Sequence, residues 1–534
     1  MVLLPHRLFS SFLRRITLLA MCILAPQLLH AAEASPERLE RIKLDLLSKI
    51  ETYRKTGQVV NDKLFSFSEL AYEEKETARF LTGLLEQNGF RIKRGVGGLP
   101  TAWIATWGNG KPVIALGSDV DGVPKTSQKP GVAWREPLVD GAPGHGEGHN
   151  SGQAVNIVAA LALKEIMTRE RLPGTIVLWP GVAEELLGGK AFLVRAGVFR
   201  DVDFVLFNHV GNNLGTGWGQ GFGTGLVSIE YTFTGESAHA AAAWHGRSAL
   251  DAVEIMNTAW NFRREHLRPE QRSHYVITDG GDQPNVVPSR ASVWYYIREM
   301  DFENIRKNVK IADDIAAGAA LATGTQITRR VVGSAAPRHF NRPLAEAAQR
   351  NIERVGLPAW TEEEQRFAKA VQALVEQPQT GLNTSLAGLR PPVPVSGPSD
   401  DIGDVTWIVP TITISYPANI PNLPVHHWSA AIAMATPIAH KGVISGAKAV
   451  GLTALDLLLQ PALGHAAKDY FSNVQSRAGT YVQFLGPDDA PVLDRNQQTT
   501  ARYRPLLEKF YYDPERYDTY LDQLGVRFPQ FSKP

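Results

Sequence analysis

From about residue 35 the chain alternates between two hydrophobic periodicities, and this alternation constrains the fold more than any single motif does. ERLERIKLDLLSKIETYRKT and ETARFLTGLLEQNG place apolar residues at helical spacing. TAWIATWG and KPVIALGSD are short, β-rich segments bounded by glycine. SGQAVNIVAALALKEIM is again helical, and GTIVLWPG, a helix beginning near Gly189, and VDFVLFNHV continue the alternation. Strand–helix–strand repeats put successive strands parallel, because the crossover returns the chain to the edge where it started. The expectation is an α/β fold with a mostly parallel sheet flanked by helices, its first part spanning residues 35–225. Ligands of such sheets bind beyond the carboxyl ends of the strands.

Near residue 226 the pattern changes. LVSIEYTFTG alternates across two faces, GRSALDAVEIMNTAWNF is helical, and HYVITDG and ASVWYYIREM are further strands. DFENIRKNVKIADDIAAGAA and TQITRRVVG complete a helix and a strand, which predicts a small inserted α+β domain over 226–338. Residues 339–463 return to the first domain through two helices, the loop GLRPPVPVSGPSDD and a final strand, PTITISY. Residues 464–534, rich in Tyr and Asp, carry no interpretable pattern and form an extension of unknown role; no internal repeat stands out.

A length of 534 residues admits two or more domains, and a formal net charge of +1 without a long Lys/Arg run argues against a nucleic-acid partner. At the N-terminus, His6, Arg7, Arg14 and Arg15 precede ITLLAMCILAPQLL, and LHA and AEA follow as small-residue cleavage sites. Residues 1–34 are therefore read as a secretory signal, too short in its apolar core to span a bilayer comfortably. That predicts a periplasmic or secreted protein without stable membrane insertion after processing; a retained anchor is the competing reading. Cys22, the only cysteine, lies inside this segment, and the bulky Met21 before it argues against a lipoprotein. The processed chain then has no thiol, so neither a disulfide nor a thiolate ligand is available.

Residues 141–150, GAPGHGEGHN, set His145, Glu147 and His149 among glycines directly before a helix. Glu184 and Glu185 follow the strand TIVLWPG, His209 ends VDFVLFNHV, and His426 and His427 follow PTITISYPANIPNLP. Taken singly, these are a flexible loop, a solvated helix start and a satisfied core histidine. Taken together they recur at strand ends, where the loops of a parallel sheet converge. A His/carboxylate set without thiolate suits Zn²⁺, Mn²⁺ or Co²⁺. The paired glutamates fit a division of labour in which one binds metal and the other takes a proton from water.

SDVDGVP, EGHN, AEE, NHV, GESAHAAA, QPNVVPSR and VHHW, in this order, resemble the aminoacylase/carboxypeptidase family of dinuclear metallopeptidases. Within it, GRSALDAVEIMN and PIAHKG are most similar to the branch of auxin-conjugate, hippurate and p-aminobenzoyl-glutamate hydrolases, over roughly residues 40–460. The resemblance implies a catalytic domain with an inserted dimerisation or lid domain, two divalent metal ions and a homodimer. It implies that Glu147, His149, Glu185, His209 and His426 are metal ligands, with His427 the less suited of its pair, and that Glu184 is the general base. That branch usually has a Cys-Gly-His segment whose cysteine bridges the metals; this chain has Glu147-Gly148-His149 there, a harder ligand that leans toward Mn²⁺ or Zn²⁺. Asp121 matches the acidic residue that orients a ligand histidine, and His239 the histidine that stabilises the oxyanion, often from the partner subunit. Asn285 resembles a residue assisting there, and Arg298 is a candidate for a substrate carboxylate. His145 has no counterpart and is read as supporting the ligands or facing substrate. Asp400, Asp401 and Asp404 resemble a segment near the substrate pocket, with turn and cap roles equally open. The glycine-rich loop GNNLGTGWGQGFGTG, with Trp218, is a candidate pocket lining.

The expected activity is hydrolysis of the amide bond of an N-acyl or N-aroyl amino acid, p-aminobenzoyl-glutamate-like, or of a small peptide. The rivals are an exported metallo-dipeptidase or aminopeptidase, and an inactive binding protein that keeps its metals.

Overall fold

The computed structural model describes residues 34–221, 223–393 and 397–533; the predicted signal segment, with Cys22, lies outside them except for Ala34. The main sheet has seven strands: β1 (Arg91–Arg94), β2 (Trp103–Asn109), β3 (Val113–Asp119), β4 (Gly174–Gly181), β5 (Phe204–Gly211), the two-residue β6 (Gly215–Thr216), and the last strand, Thr411–Pro417. Between β6 and that last strand come β7 (Gly219–Gln220), β8 (Gly225–Thr234), β9 (Arg272–Asp279), β10 (Arg290–Glu299), β11 (Gln326–Ala335) and β12 (His339–Phe340), so Thr411–Pro417 is β13. The order across the main sheet is β1-β2-β4-β3-β5-β13-β6. Its centre, β4-β3-β5-β13, is parallel, while the edge pairings are antiparallel. Every residue of β4 is buried, as its unbroken apolar run requires of a strand covered on both faces.

The helices that cover this sheet are α1 (Pro36–Thr52), α2 (Arg54–Phe67), α3 (Lys75–Gln87), α4 (Gly152–Glu170) and α5 (Lys190–Arg195). After α6 (Ala249–Arg264) and α7 (Phe302–Thr323) of the inserted unit come α8 (Arg342–Val355), α9 (Glu362–Leu374), α10 (Ile402–Thr406), α11 (Trp428–Ala431), α12 (Pro437–Leu459) and α13 (Pro461–Tyr470). One apolar cluster packs α4, α12 and α1 on one face of the sheet, with Ile157, Leu161, Val450 and Leu455 essentially inaccessible to solvent. No apolar run beyond the N-terminus stands out in the sequence as a membrane span. Yet α12 has the length and composition of one, with 94% of its most apolar stretch buried inside the protein. His440, Lys441, Lys448 and Asp456 interrupt its run in the sequence; His440 and Lys448 reach Asp62 and Glu51, and Asp456 takes Lys43. Each buried Leu or Ile here contributes roughly 1.5–3 kcal/mol.

The inserted unit is a four-stranded antiparallel sheet, β11-β8-β10-β9, covered on one face by α6 and α7. Ile229, Tyr231, Val293, Tyr295 and Ile297 point into those helices. The same cluster continues past Val332, Ile402 and Val405 to Trp179 and Phe207 under the main sheet, so the two units share one continuous apolar contact.

Candidate functional site

Four strand ends supply the chemistry. β3 ends at Asp119 and leads to Asp121; the loop before α4 carries Glu147 and His149; β4 leads to Glu184 and Glu185; β5 carries His209. The segment after β13 carries His426. Two backbone devices aim them. Gly148 has φ +120°, and a Cβ there would meet Met434 at 2.7 Å, so only glycine turns the chain between Glu147 and His149. Ala183 and Leu187, both at φ near +50°, fold the tight turn that presents the two glutamates, and His426 itself sits at φ +55°. Such positions cost energy and collect at functional sites.

The Asp121 carboxylate accepts the backbone N–H groups of Glu184 and Glu185 at 3.1 and 3.0 Å, which locks that turn. Its carbonyl accepts His149 Nδ1 at 3.1 Å. The sequence assigned histidine orientation to the Asp121 carboxylate; the nearer partner is its main chain, and the carboxylate lies 3.8 Å from the ring nitrogen.

Glu147, His149, Glu185, His209 and His426 converge. Glu147 Oε1 lies 3.4 Å from His209 Nε2 and its Oε2 lies 2.9 Å from His426 Nε2, so one carboxylate reaches two sides of the cluster. His426 Nε2 is 3.2 Å from Glu185 Oε2, while Glu185 Oε1 is buried without a hydrogen-bond partner. His149 Nδ1 and His209 Nδ1 both donate to backbone carbonyls, at 3.1 and 2.9 Å. Their Nε2 atoms therefore carry the lone pairs, and these face one another at 3.3 Å. Two ring nitrogens at that distance share either a proton or a cation. Burial opposes charge on Glu147, yet the His426 hydrogen bond and the surrounding histidines hold its carboxyl well below the usual range. Burial likewise opposes charge on His149, but the nearby Asp121, Glu147, Asp119 and Glu185 carboxylates outweigh it and raise its proton affinity. Burial pushes the Glu185 carboxyl up to about 8, with His149 opposing and Glu147 adding to the shift. A site that favours positive charge and leaves a buried carboxylate oxygen unsatisfied fits divalent cations. The Glu147 side chain is 20% exposed and that of His426 56%, so the cluster opens to solvent on their side.

Glu184 turns the other way. Its carboxylate lies within 4.8 Å of Asp400 and Asp401, and burial together with the Asp119 and Asp400 charges raises its pKa well above the ordinary value. Lys190, wholly buried, donates to Asp119 at 2.5 Å and to Asp401, and lies 3.8 Å from Asp400. Asp119 also lies within 4.8 Å of ligand atoms of His149 and His209, so it joins the cation-binding group to the Glu184 group. Sequence reasoning missed Asp119, Lys190 and Arg338, which ion-pairs with Asp400 at 3.3 Å. The signal was present in SDVD, two residues before the acid that was read. Asp404 is structural: it accepts Ala336 N and Tyr481 Oη.

The remaining predicted residues lie elsewhere. His145 is buried beside Phe65, donates Nε2 to the Leu64 carbonyl, and is pushed down to about 3 by burial; it is a packed, neutral histidine. His427 caps α11 through Ser429. His239 and Asn285 are exposed on the inserted unit, where the main chain of His239 bridges to Val286 and the Asn285 carbonyl accepts Ala240 N at 3.0 Å. Arg298 donates to Ser399 Oγ at 3.0 Å and stacks on Tyr296, whose hydroxyl reaches the Glu185 carbonyl at 3.5 Å. Trp218 is packed beneath Arg342.

A parallel sheet whose strand ends gather two histidines, two carboxylates and a third histidine beside a buried glutamate defines a metal-dependent hydrolase. The model of peptidase family M20/M25/M40 matches residues 115–385. One of the subunits of p-aminobenzoyl-glutamate hydrolase from Escherichia coli is 35% identical over 444 residues, covering 78% of this chain and 91% of that protein. A Xaa-Arg dipeptidase of Mus musculus is 28% identical over 448 residues, covering 82% and 94%. Among solved structures, a protein of methicillin-resistant Staphylococcus aureus described as an aminohydrolase superposes with a TM-score of 0.56 at 20% identity, over 78% of this chain and all of that one; this likeness bears on the fold alone. The chain belongs to the M20/M25/M40 peptidase family and is a metallo-amidohydrolase.

Proposed function

We propose that this protein is an exported amidohydrolase with a dinuclear metal site, cleaving the amide of an N-acyl or N-aroyl amino acid of the p-aminobenzoyl-glutamate type. The facing Nε2 atoms of His149 and His209, with the Glu147 carboxylate split between His209 and His426, are the observation that carries it. Glu147, His149, Glu185, His209 and His426 would hold the cations, Zn²⁺ or Mn²⁺ with Co²⁺ a further candidate; Glu147 would serve both sides of the cluster, because its two oxygens reach His209 and His426. Bound cations supply Lewis acidity, polarising the amide carbonyl and acidifying water. Glu184 takes the proton from the attacking water as it adds to the carbonyl carbon, then returns it to the leaving amine nitrogen. Asp121 holds both glutamates in place through their backbone N–H groups.

His239 stabilises the oxyanion from a second copy of the chain. Its exposure on its own subunit supports this, as does the unpaired edge strand β9, where Tyr275, Val276 and Ile277 are exposed. Export rests on the N-terminal leader pattern. The 35% identical relative favours an aroyl amino acid over a dipeptide.

The test is a substrate panel of N-aroyl and N-acyl amino acids against free-amine dipeptides, with and without added Mn²⁺ or Zn²⁺. Replacing Glu184 with Gln is expected to cut turnover by at least about 10²–10⁴ while metal content stays at the parent level. An active Glu184→Gln variant overturns the general-base role, and cleavage of dipeptides alone overturns the substrate class.

A further inference from the structure

The C-terminal extension, which shows no pattern in the sequence, crosses the junction between the two units. Tyr481 donates to Asp404 at 2.7 Å, and Arg195 on α5 donates to the carbonyls of Gly486 and Asp489 at 2.6 and 2.7 Å. The Asp489 carboxylate then accepts Val331 N on β11, and Leu485 and Val492 enter the apolar cluster shared by both units. Beyond the inserted sheet the chain is tied down again on the catalytic side. Asn496 donates to the Ala71 carbonyl at 3.1 Å, and Arg504 to Glu69 and to the Glu73 carbonyl at 2.9 and 2.7 Å. Between these anchors stands Arg495.

Arg495 lies 3.1 Å from Glu230 on β8 and 4.7 Å from the ring centre of Trp294 on β10. Glu230 and Trp294 face each other in register, and Arg330 on β11 is the other in-register neighbour of Glu230. That carboxylate also takes the Thr278 hydroxyl of β9 at 3.0 Å and Arg330 at 2.8 Å. All four strands of the inserted sheet thus meet the extension at one ion cluster whose carboxylate is 8% exposed. Side chains alternate along a strand, so Trp294, Tyr296 and Arg298 share the face turned away from α6 and α7. On this face Tyr296 touches the Glu185 carbonyl and Arg298 touches Ser399, beside Asp400.

We propose that Arg495 is a positioning residue: from the C-terminal extension it clamps Glu230 and Trp294 and so fixes Tyr296 and Arg298 over the Glu184–Glu185 turn. It acts through β10 rather than on substrate, and it rests on the hydrolase reading of that turn. An ion pair with stacking on an indole holds both partner and orientation.

The experiment compares the full-length parent, Arg495→Ala, Glu230→Gln and the double variant by amide hydrogen exchange and by steady-state kinetics on the best substrate of the panel. In Arg495→Ala, exchange over residues 290–299 is expected to rise about tenfold while β4 keeps parent rates. KM is expected to rise about fivefold with kcat within about twofold, because a lost folded fraction would lower the apparent kcat and leave KM alone. The double variant is expected to be no worse than the worse single one. Parent-like exchange over 290–299, an unchanged KM, or additive effects in the double variant overturn the proposal. A parent that cleaves nothing on the panel sinks the hydrolase reading instead, and the exchange measurement still decides whether Arg495 holds β10.

Discussion

Glu147 is the residue at which this chain departs from the branch it resembles. Its two oxygens already face two histidines, so the carboxylate has the reach for a bridging role that a thiolate would fill with one soft atom. Hard oxygen ligation favours Mn²⁺ relative to thiolate, which favours Zn²⁺. Glu147→Cys is therefore expected to raise the Zn:Mn ratio retained from an equimolar mixture, read by elemental analysis after dialysis. An unchanged ratio would show that the carboxylate does not set metal preference. Lys190 makes a different kind of prediction. It is wholly buried between Asp119 and Asp401, and removing one member of a buried charged group strands the others. Lys190→Met is expected to lose about 3–5 kcal/mol of stability, seen as a lower melting temperature even with metal supplied.

At the scale of elements, the strands were legible and their connections partly so. β4 is a continuous apolar run and β3 and β5 open on one because both faces are covered, whereas β8 and β10 alternate because their apolar side chains turn toward α6 and α7. The ligands were legible from the strands: Glu185 follows β4, His209 lies near the end of β5, and His426 comes after β13. What stayed hidden depends on distant partners. Asp119 and Lys190 acquire meaning only when β3 and α5 meet Asp401. The extension after α13 is ordered largely by side chains bound to backbone groups, such as Arg195 on Gly486, which leave no periodicity. His339 on β12 shows how such contacts register in stability. Its ring meets Tyr470 and Trp407, and burial alone pushes its pKa down to about 4. Between that value and the ordinary value of about 6.5 the unfolded chain binds the proton and the folded one does not, so stability rises with pH. The contribution is complete above about pH 6.5 and falls as the pH drops toward 4. His339→Phe is expected to shrink the loss of melting temperature between pH 7 and pH 5; an identical loss in both proteins would show that His339 is not the titrating group.

At the scale of the molecule, the site within one subunit lacks the residue assigned to the oxyanion. His239 stands exposed on the inserted unit, with Nδ1 capping Ala241 N and no contact to the cation-binding group among the described residues. On the same unit β9 is a sheet edge whose Val276 is 55% exposed, and Phe262 of α6 is 72% exposed. An edge strand flanked by apolar side chains is a template for pairing with a second copy, and a twofold interface would repeat each contact symmetrically. Val276→Lys is therefore expected to shift the protein toward monomer in light scattering and to lose activity with metal content unchanged. Mixing gives the sharper measurement. Glu184→Gln lacks the base and His239→Ala the oxyanion donor, so each is expected to be inactive alone. If His239 works in trans, subunit exchange pairs an intact Glu184 on one chain with an intact His239 on the other, and equal mixing restores about a quarter of parental sites. If each subunit serves itself, the mixture stays as inactive as its components, because no subunit then holds both groups.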